Sequence, residues 1–356
     1  MADLGALVAA ARKSDLFTSP RLETDLPSFL ADHGDRIRQL ARRTAAGEFD
    51  HVYFVGSGGS WSNMFSGKYL LDRLTSVPAD VLNGYELTWR DPVRLGRRSL
   101  VFVASYSGST EDALAALRHA NTRGAHTVVI TRQPQSPMAK EASELVDYDS
   151  PVLYALPLAA VYVFALELAR LTRSPRAGEA EAALASMETL PALLGRIYRA
   201  GEAAALDQAR RFLSSNLLYV FAAGPNYGVG YKFALTVFME NIRINGSIVD
   251  ATEFRHGPAE ALERQRMDIV ALLGTDESRA LTQRSIDVAE SNGARVLVID
   301  AAAYEGLHPL LAPFAFLVPL EWFTVYSALL RGITDLDERV LMGHRILASG
   351  QDATWP

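Results

Sequence analysis

Short apolar runs alternate along the chain with longer stretches whose apolar residues recur at helical spacing. His51-Val52-Tyr53-Phe54-Val55 predicts a buried strand. The loop Gly56-Ser57-Gly58-Gly59-Ser60 follows it, and then a helical pattern to about Leu74. Residues 99–104, SLVFVA, predict a second strand. Behind it come Ser105-Tyr106-Ser107-Gly108-Ser109-Thr110 and a helix ending near Arg123-Gly124. Residues 127–131 predict a third strand. Strand, short loop, helix, strand is the pattern of βαβ units and therefore of a mostly parallel sheet.

The pattern then returns. Residues 216–221 read as a strand before Ala222-Ala223-Gly224-Pro225-Asn226-Tyr227-Gly228. Residues 267–273 read as another, before Gly274-Thr275-Asp276-Glu277-Ser278. Residues 295–300 follow a helix that ends at Asn292-Gly293. A repeat of this length predicts two α/β domains. Residues 1–47 read as leading helices broken near Ser19-Pro20, residues 48–172 as the first domain and 173–212 as a helical connection. Residues 213–356 read as the second domain with a C-terminal helix and tail.

Composition narrows the function classes. With 35 Lys+Arg against 41 Asp+Glu the net charge is -6, which disfavours a nucleic-acid-binding role. The chain has no cysteine, so disulfides, thiolate nucleophiles and Cys-based metal sites are excluded. No basic, apolar leader opens the sequence, which together with the missing cysteine fits a cytoplasmic protein. The apolar stretch 152–171 carries Pro157, Glu167 and Arg170, and it reads as a buried or interface helix rather than a membrane span. Neither H-E-x-x-H nor a His/Asp cluster is present, so neither a metal nor a cofactor is expected.

The two loops of the first half carry the candidate chemistry. A helix N-terminus presents unpaired N–H groups and the positive end of the helix dipole, and anions bind there. Ser105, Ser107, Ser109 and Thr110 set hydroxyls at such a point, and Gly108 lets the backbone approach a ligand closely. Ser60 stands after the other strand, and ligands of parallel sheets gather beyond the carboxyl ends of the strands. Simple helix capping accounts for the same residues. The nucleotide-binding alternatives are weaker: Trp61 takes the last glycine's place in G-x-G-x-x-G, and no P-loop motif is present.

These loops resemble, in duplicate, the SIS (sugar isomerase) domain family. Glu253-Phe254-Arg255-His256-Gly257-Pro258 resembles the Glu-x-x-His-Gly-Pro element in the isomerase half of glucosamine-6-phosphate synthase. It is more similar still to the fructosamine-6-phosphate deglycases, as are the stretches 271–279 and 337–343. The resemblance implies two SIS domains, each a mostly parallel sheet flanked by helices in a flavodoxin-like three-layer sandwich. It implies phosphate contacts at Ser60, Ser105, Ser107, Ser109 and Thr110, with Gly58, Gly59 and Tyr106 lining the sugar. It implies a proton-transfer glutamate at Glu240 and a ring-opening histidine at His256, 16 positions apart. It also implies a homodimer whose active site receives the histidine from the neighbouring subunit. The chain lacks the synthase's glutaminase cysteine and its terminal lysine segment, so glutamine-dependent amination is not expected.

Among the candidates, Glu240 lies in the otherwise apolar helical stretch 233–242, as either an exposed-face residue or a partly buried base. Glu253 either orients His256 from one turn away or serves as a helix-start acid. His33, His51, His119, His126, His308 and His344 are read as structural, and Trp61 and Tyr106 either line the pocket or pack into the core. The expected activity is cleavage of a fructosamine 6-phosphate to glucose 6-phosphate and an amine, by proton transfer and imine hydrolysis. The alternatives are a ketose/aldose phosphosugar isomerase, an amino-sugar-phosphate deaminase, and a non-catalytic sugar-phosphate sensor.

Overall fold

A computed structural model describes residues 4–15 and 17–338. The first sheet comprises β1 (His51–Val55), β2 (Ala79–Leu82), β3 (Ser99–Ala104), β4 (His126–Thr131) and β5 (Glu144–Asp147). Its order is β2-β1-β3-β4-β5, and every pairing is parallel. The second sheet comprises β6 (Leu217–Ala222), β7 (Asn245–Asp250), β8 (Asp268–Leu273) and β9 (Arg295–Asp300), also all parallel, in the order β7-β6-β8-β9. Both halves thus start in the middle, step to one edge and return past the first strand. This is the flavodoxin-like order, and the predicted two-fold α/β repeat is what the chain forms.

Strands β2, β5 and β7 were not read from the sequence. All three lie at sheet edges, and none is fully buried along its length. A short edge strand needs neither a continuous apolar run nor clean alternation, so the hydrophobic pattern does not mark it. The central strands β1, β3 and β8 are buried at every position, and the pattern found them together with β4, β6 and β9, each of which holds a run of apolar residues.

The helices are α1 (Leu4–Ala11), α2 (Leu22–Ala45), α3 (Gly59–Leu74), α4 (Gly84–Arg90), α5 (Glu111–Thr122) and α6 (Pro137–Glu141). They continue as α7 (Ala155–Leu171), α8 (Ala177–Arg211), α9 (Tyr227–Lys232), α10 (Arg279–Ser291) and α11 (Ala312–Leu330). The final helices of the two halves, α7 and α11, are buried along almost their whole length and meet between the sheets. Tyr162 of α7 donates a hydrogen bond to the Leu310 carbonyl at 2.7 Å and sets its ring edge-on to Phe314 at 5.1 Å. The long helix α8 runs beside them, with Tyr198 stacked on Trp322 at 5.3 Å. One hydrophobic cluster therefore spans both halves. Pro309–Leu330 is the one helix among the described residues long and apolar enough to cross a membrane, and 94% of its apolar 18-residue stretch is buried inside the protein.

The leading helices join this core through a buried carboxylate. Glu321 of α11 accepts the Thr18 and Ser19 backbone N–H groups at 3.1 and 2.8 Å and their hydroxyls at 2.5 and 2.6 Å. The break expected near Ser19-Pro20 is a single 3-10 turn, Ser19–Arg21, whose free N–H groups this carboxylate satisfies. Removing it would strand four buried donors. Glu321→Ala is expected to cost about 3 kcal/mol or more of stability, read as a lower midpoint in urea unfolding.

Candidate active site

The strand order reverses between β1 and β3, so the loops leaving their carboxyl ends open onto the same crevice. The loop after β1 enters α3 through Gly58, whose φ of +55° suits glycine and which provides no side-chain cap. The loop after β3 enters α5 through Thr110, which provides no side-chain cap either. Thr110 Oγ1 instead pairs with Ser105 Oγ at 2.8 Å, and the Gly108 N–H donates to Ser105 Oγ at 3.1 Å. Ser109 Oγ donates to Ser107 Oγ at 3.1 Å. The hydroxyls fold the loop on itself and leave the first-turn N–H groups of α5 without a side-chain acceptor. Simple capping predicts the opposite, so the geometry favours the anion-binding alternative. Ser107, Ser109 and Thr110 are exposed at the mouth, whereas Ser105 is buried beneath them. The Ser57 hydroxyl donates to Asp112 of α5 and ties the two loops together.

The second half closes over this crevice. Helix α9 continues without a break into a π-helix, Phe233–Ile242, where the sequence suggested an ordinary helical stretch. π-Helical winding is rare and concentrates at functional sites. Gly228 makes the approach possible, since a Cβ there would stand 2.7 Å from the Ser62 carbonyl oxygen of α3. Trp61 of α3 packs on Tyr231 of α9, with centroids 4.5 Å apart, so its principal role is holding the halves together. A Cβ at Gly58 would stand 3.5 Å from Thr236 Cγ2, and one at Gly59 would stand 3.1 Å from Lys232 Nζ. Lys232, Thr236 and Glu240 recur every four positions in a segment wound at more than four residues per turn. Lys232 and Thr236 therefore share the face turned toward the glycines, and Glu240 follows about one turn further along. Glu240 is the exposed member at the outer end. Beside it the chain returns: Asn241 donates to the Leu336 carbonyl at 2.7 Å, and Arg243 pairs with Asp335 at 3.0 Å. The rest of the stretch 337–343, beyond residue 338, and the C-terminal tail with His344 lie outside the described residues.

Lys232 was not singled out from the sequence. It is only 7% exposed, its Nζ lies 4.8 Å from the Tyr154 ring centroid, and among the described residues its ammonium forms no ion pair. Burial pushes its pKa down to about 8, against the opposing pull of Glu240 and Glu321. A lone lysine after a run of glycines and tyrosines carries no sequence signal, and only the packing of α9 on α3 reveals it.

His256 and Glu253 lie elsewhere. They belong to a 3-10 helix, Ala251–His256, started by Asp250, which accepts the Thr252 N–H at 2.9 Å. Both side chains are exposed, and no hydrogen bond joins them, so Glu253 does not orient the imidazole within one chain. Other histidines have local structural partners: His51 meets Asp80, His119 meets Asp91 and His126 meets Glu144, each at 2.8 Å, while His308 accepts the Leu310 N–H at 3.3 Å. His33 packs on Phe29 at 5.2 Å. Tyr106 is also engaged, its ring beneath the Arg132 guanidinium and its hydroxyl bonded to it, so it braces the loop from behind. No group of His, Asp and Glu among the described residues is arranged to hold a metal ion.

Residues 48–171 match the SIS domain family. A fructoselysine 6-phosphate deglycase from Escherichia coli is 30% identical over 316 residues, covering 88% of this chain and 92% of that protein. A fructosamine deglycase from Bacillus subtilis is 31% identical over 258 residues, covering 72% and 78%. Among solved structures, one from Bacillus subtilis provisionally named a phosphosugar isomerase superposes with a TM-score of 0.77 at 27% identity, covering 86% of this chain and 95% of that one. The C-terminal domain of a glucosamine-fructose-6-phosphate aminotransferase from Francisella tularensis, at 21% identity, shares the fold with a TM-score of 0.77 and covers 91% and 96%.

The loop geometry sets its own test. Gly108 has a φ of +63°, and a Cβ there would stand 2.1 Å from Ser136 Oγ. Gly108→Ala is expected to displace the loop and weaken glucose 6-phosphate binding by about tenfold or more, measured by titration calorimetry, with little change in the circular dichroism spectrum.

Proposed function

The chain belongs to the fructosamine-phosphate deglycase family of SIS-domain proteins, and from that premise we propose that it cleaves a fructosamine 6-phosphate to glucose 6-phosphate and a free amine. One observation carries the reading. Two helix N-termini without side-chain caps open at the switch point of the first sheet, Lys232 and Thr236 of the second half pack against them, and Glu240 follows on the π-helix. The arrangement provides a place for a dianion and, beyond it, a carboxylate.

The phosphate anchors in the loop 105–110, with Ser60 on its other side. Fixing that distant group holds C1 and C2 of the opened sugar near Glu240, so binding energy remote from the reacting bonds provides orientation. Glu240 removes a proton from C1, which bears the amine, and the electron pair moves onto the C2 oxygen as an enol forms. The proton returns at C2, the amine nitrogen gives up its own proton as C1 becomes an imine, and that proton passes to the C2 oxygen to make the hydroxyl. Water adds to the imine and the amine leaves, giving the aldehyde form of glucose 6-phosphate. Glu240→Gln is expected to keep sugar-phosphate affinity within about threefold while lowering turnover at least 1000-fold, consistent with loss of the general base. Near-normal release of glucose 6-phosphate from fructoselysine 6-phosphate by that variant would remove Glu240 from the reaction.

His256 enters this scheme from a second copy of the chain. It is exposed on a different element from Glu240 and has no partner among the described residues, as suits a residue presented to a neighbour. A cytoplasmic homodimer with each site shared between subunits fits this placement. Mixing separately inactive Glu240→Gln and His256→Ala proteins under conditions that exchange subunits then restores activity, because hybrid dimers rebuild one intact site each. Roughly a quarter of all sites are expected to recover at equal mixing. A mixture that stays inactive after exchange would place both residues in one subunit's site or remove His256 from it.

A further inference from the structure

We propose that Lys232 is a further catalytic residue of this site, its ammonium taking up the negative charge that develops on the C2 oxygen when Glu240 removes the C1 proton. The inference rests on the deglycase reading and deepens it.

A lysine 7% exposed is costly to keep charged, and such residues are normally paired. This one forms no ion pair among the described residues. The buried carboxylate of its surroundings, Glu321 of α11, is already occupied by four hydrogen bonds from Thr18 and Ser19. Glu240 acts on it electrostatically, and its nearer neighbours include the Tyr154 ring just before α7, whose face attracts a cation, and the backbone of Gly59. Gly59 opens α3, so the ammonium lies against the positive end of a helix with no side-chain cap. Two positive ends set together create a spot that is satisfied only when an anion arrives.

Position on the helix selects the anion. The phosphate already has the N-terminus of α5 and the hydroxyls around it. Lys232 and Glu240 instead stand on either side of Thr236 along the helix, separated by about 12 Å along the axis at 1.5 Å per residue, or less in a π-helix. Only by reaching inward over Thr236 can a base from one end and a cation from the other meet one C1–C2 unit, whose proton leaves C1 while charge gathers on the C2 oxygen. The proton taken by Glu240 returns at C2, the proton that the nitrogen loses as the imine forms passes to the C2 oxygen, and Lys232 need only donate a hydrogen bond throughout, so no other reactant is required. A cation pre-positioned in a dry site is an effective way to stabilise such charge. Gly59 belongs to the same device, because its missing side chain leaves the room the ammonium occupies.

The test uses the full-length protein with fructoselysine 6-phosphate as substrate and glucose 6-phosphate as binding probe. Lys232→Met is expected to lower kcat by about 100- to 1000-fold, with KM and glucose 6-phosphate affinity within about threefold. Wild-type kcat is expected to fall above about pH 8 as the ammonium loses its proton. The groups facing it, Glu240, Glu321 and Tyr154, are retained in Lys232→Met, so the loss of this alkaline limb in the variant assigns it to Lys232. Gly59→Ala, which crowds the ammonium without removing it, is expected to lower kcat in the same sense, with no further loss in the double variant. Melting temperature serves as the folding control, and deleting a buried charge is not expected to lower it. Near-normal kcat in Lys232→Met overturns the inference. So does a tenfold or greater loss of glucose 6-phosphate affinity at unchanged kcat, which would make Lys232 a phosphate ligand. Normal turnover by Lys232→Met beside an inactive Glu240→Gln removes this inference alone, whereas no turnover by the wild-type protein removes the deglycase reading and this inference with it.

Discussion

The close crossing of α9 over α3 is the contact on which the rest depends. Gly228 permits it, because the Ser62 carbonyl occupies the space a side chain would need. Trp61 packs on Tyr231 and Phe65 on Tyr227, and Trp61 and Phe65 are themselves stacked 5.5 Å apart, so a continuous set of rings lines the crossing. Everything assigned to the site follows from that approach. The first half provides the N-termini of two helices, the second half provides Lys232, Thr236 and Glu240, and neither half holds a complete set. The shared core of α7, α8 and α11 locks the two halves together, so the crossing is held by a packed interior and not by the site residues themselves.

Polar groups are treated differently in the core and in the crevice. Where Glu321 is buried, four donors meet its carboxylate, and Arg295 is likewise matched to Asp268 and Ser215 in the second half. In the crevice the matching is left incomplete. The N-termini of α3 and α5 lack side-chain caps, the serine hydroxyls bond one another, and a buried ammonium faces a helix start. A fold optimised only for stability would cap these ends and replace the lysine by an apolar residue. Their retention marks the place where a ligand completes the electrostatics.

The second half shows the contrast on the same scaffold. Its equivalent loops, after β6 and β8, hold Asn226 bonded to Asp276 at 3.1 Å, and Asp276 also accepts the Ser278 N–H at 2.9 Å. At the switch point of the second half a carboxylate of the protein thus meets these donors, whereas the loops of the first half contain no such carboxylate acceptor for the start of α5.

What the sequence determined by itself was local. Continuous apolar runs gave the central strands, because a strand buried on both faces cannot carry polar residues. Glycine and serine after β1 and β3 marked the two loops, because helix starts and tight turns demand those residues. The spacing of Glu240 and His256 carried a family resemblance that composition and periodicity alone did not provide. The tertiary structure decided what depends on distance between elements. The edge strands β2, β5 and β7 exist because neighbours offer them hydrogen bonds, not because their own pattern requires it. Thr110 is a poor cap because Ser105 captures its hydroxyl, and Tyr106 is held by Arg132. Lys232 reads as an ordinary surface lysine until α9 is packed against Gly59, for burial is a property of the assembled fold and not of the chain.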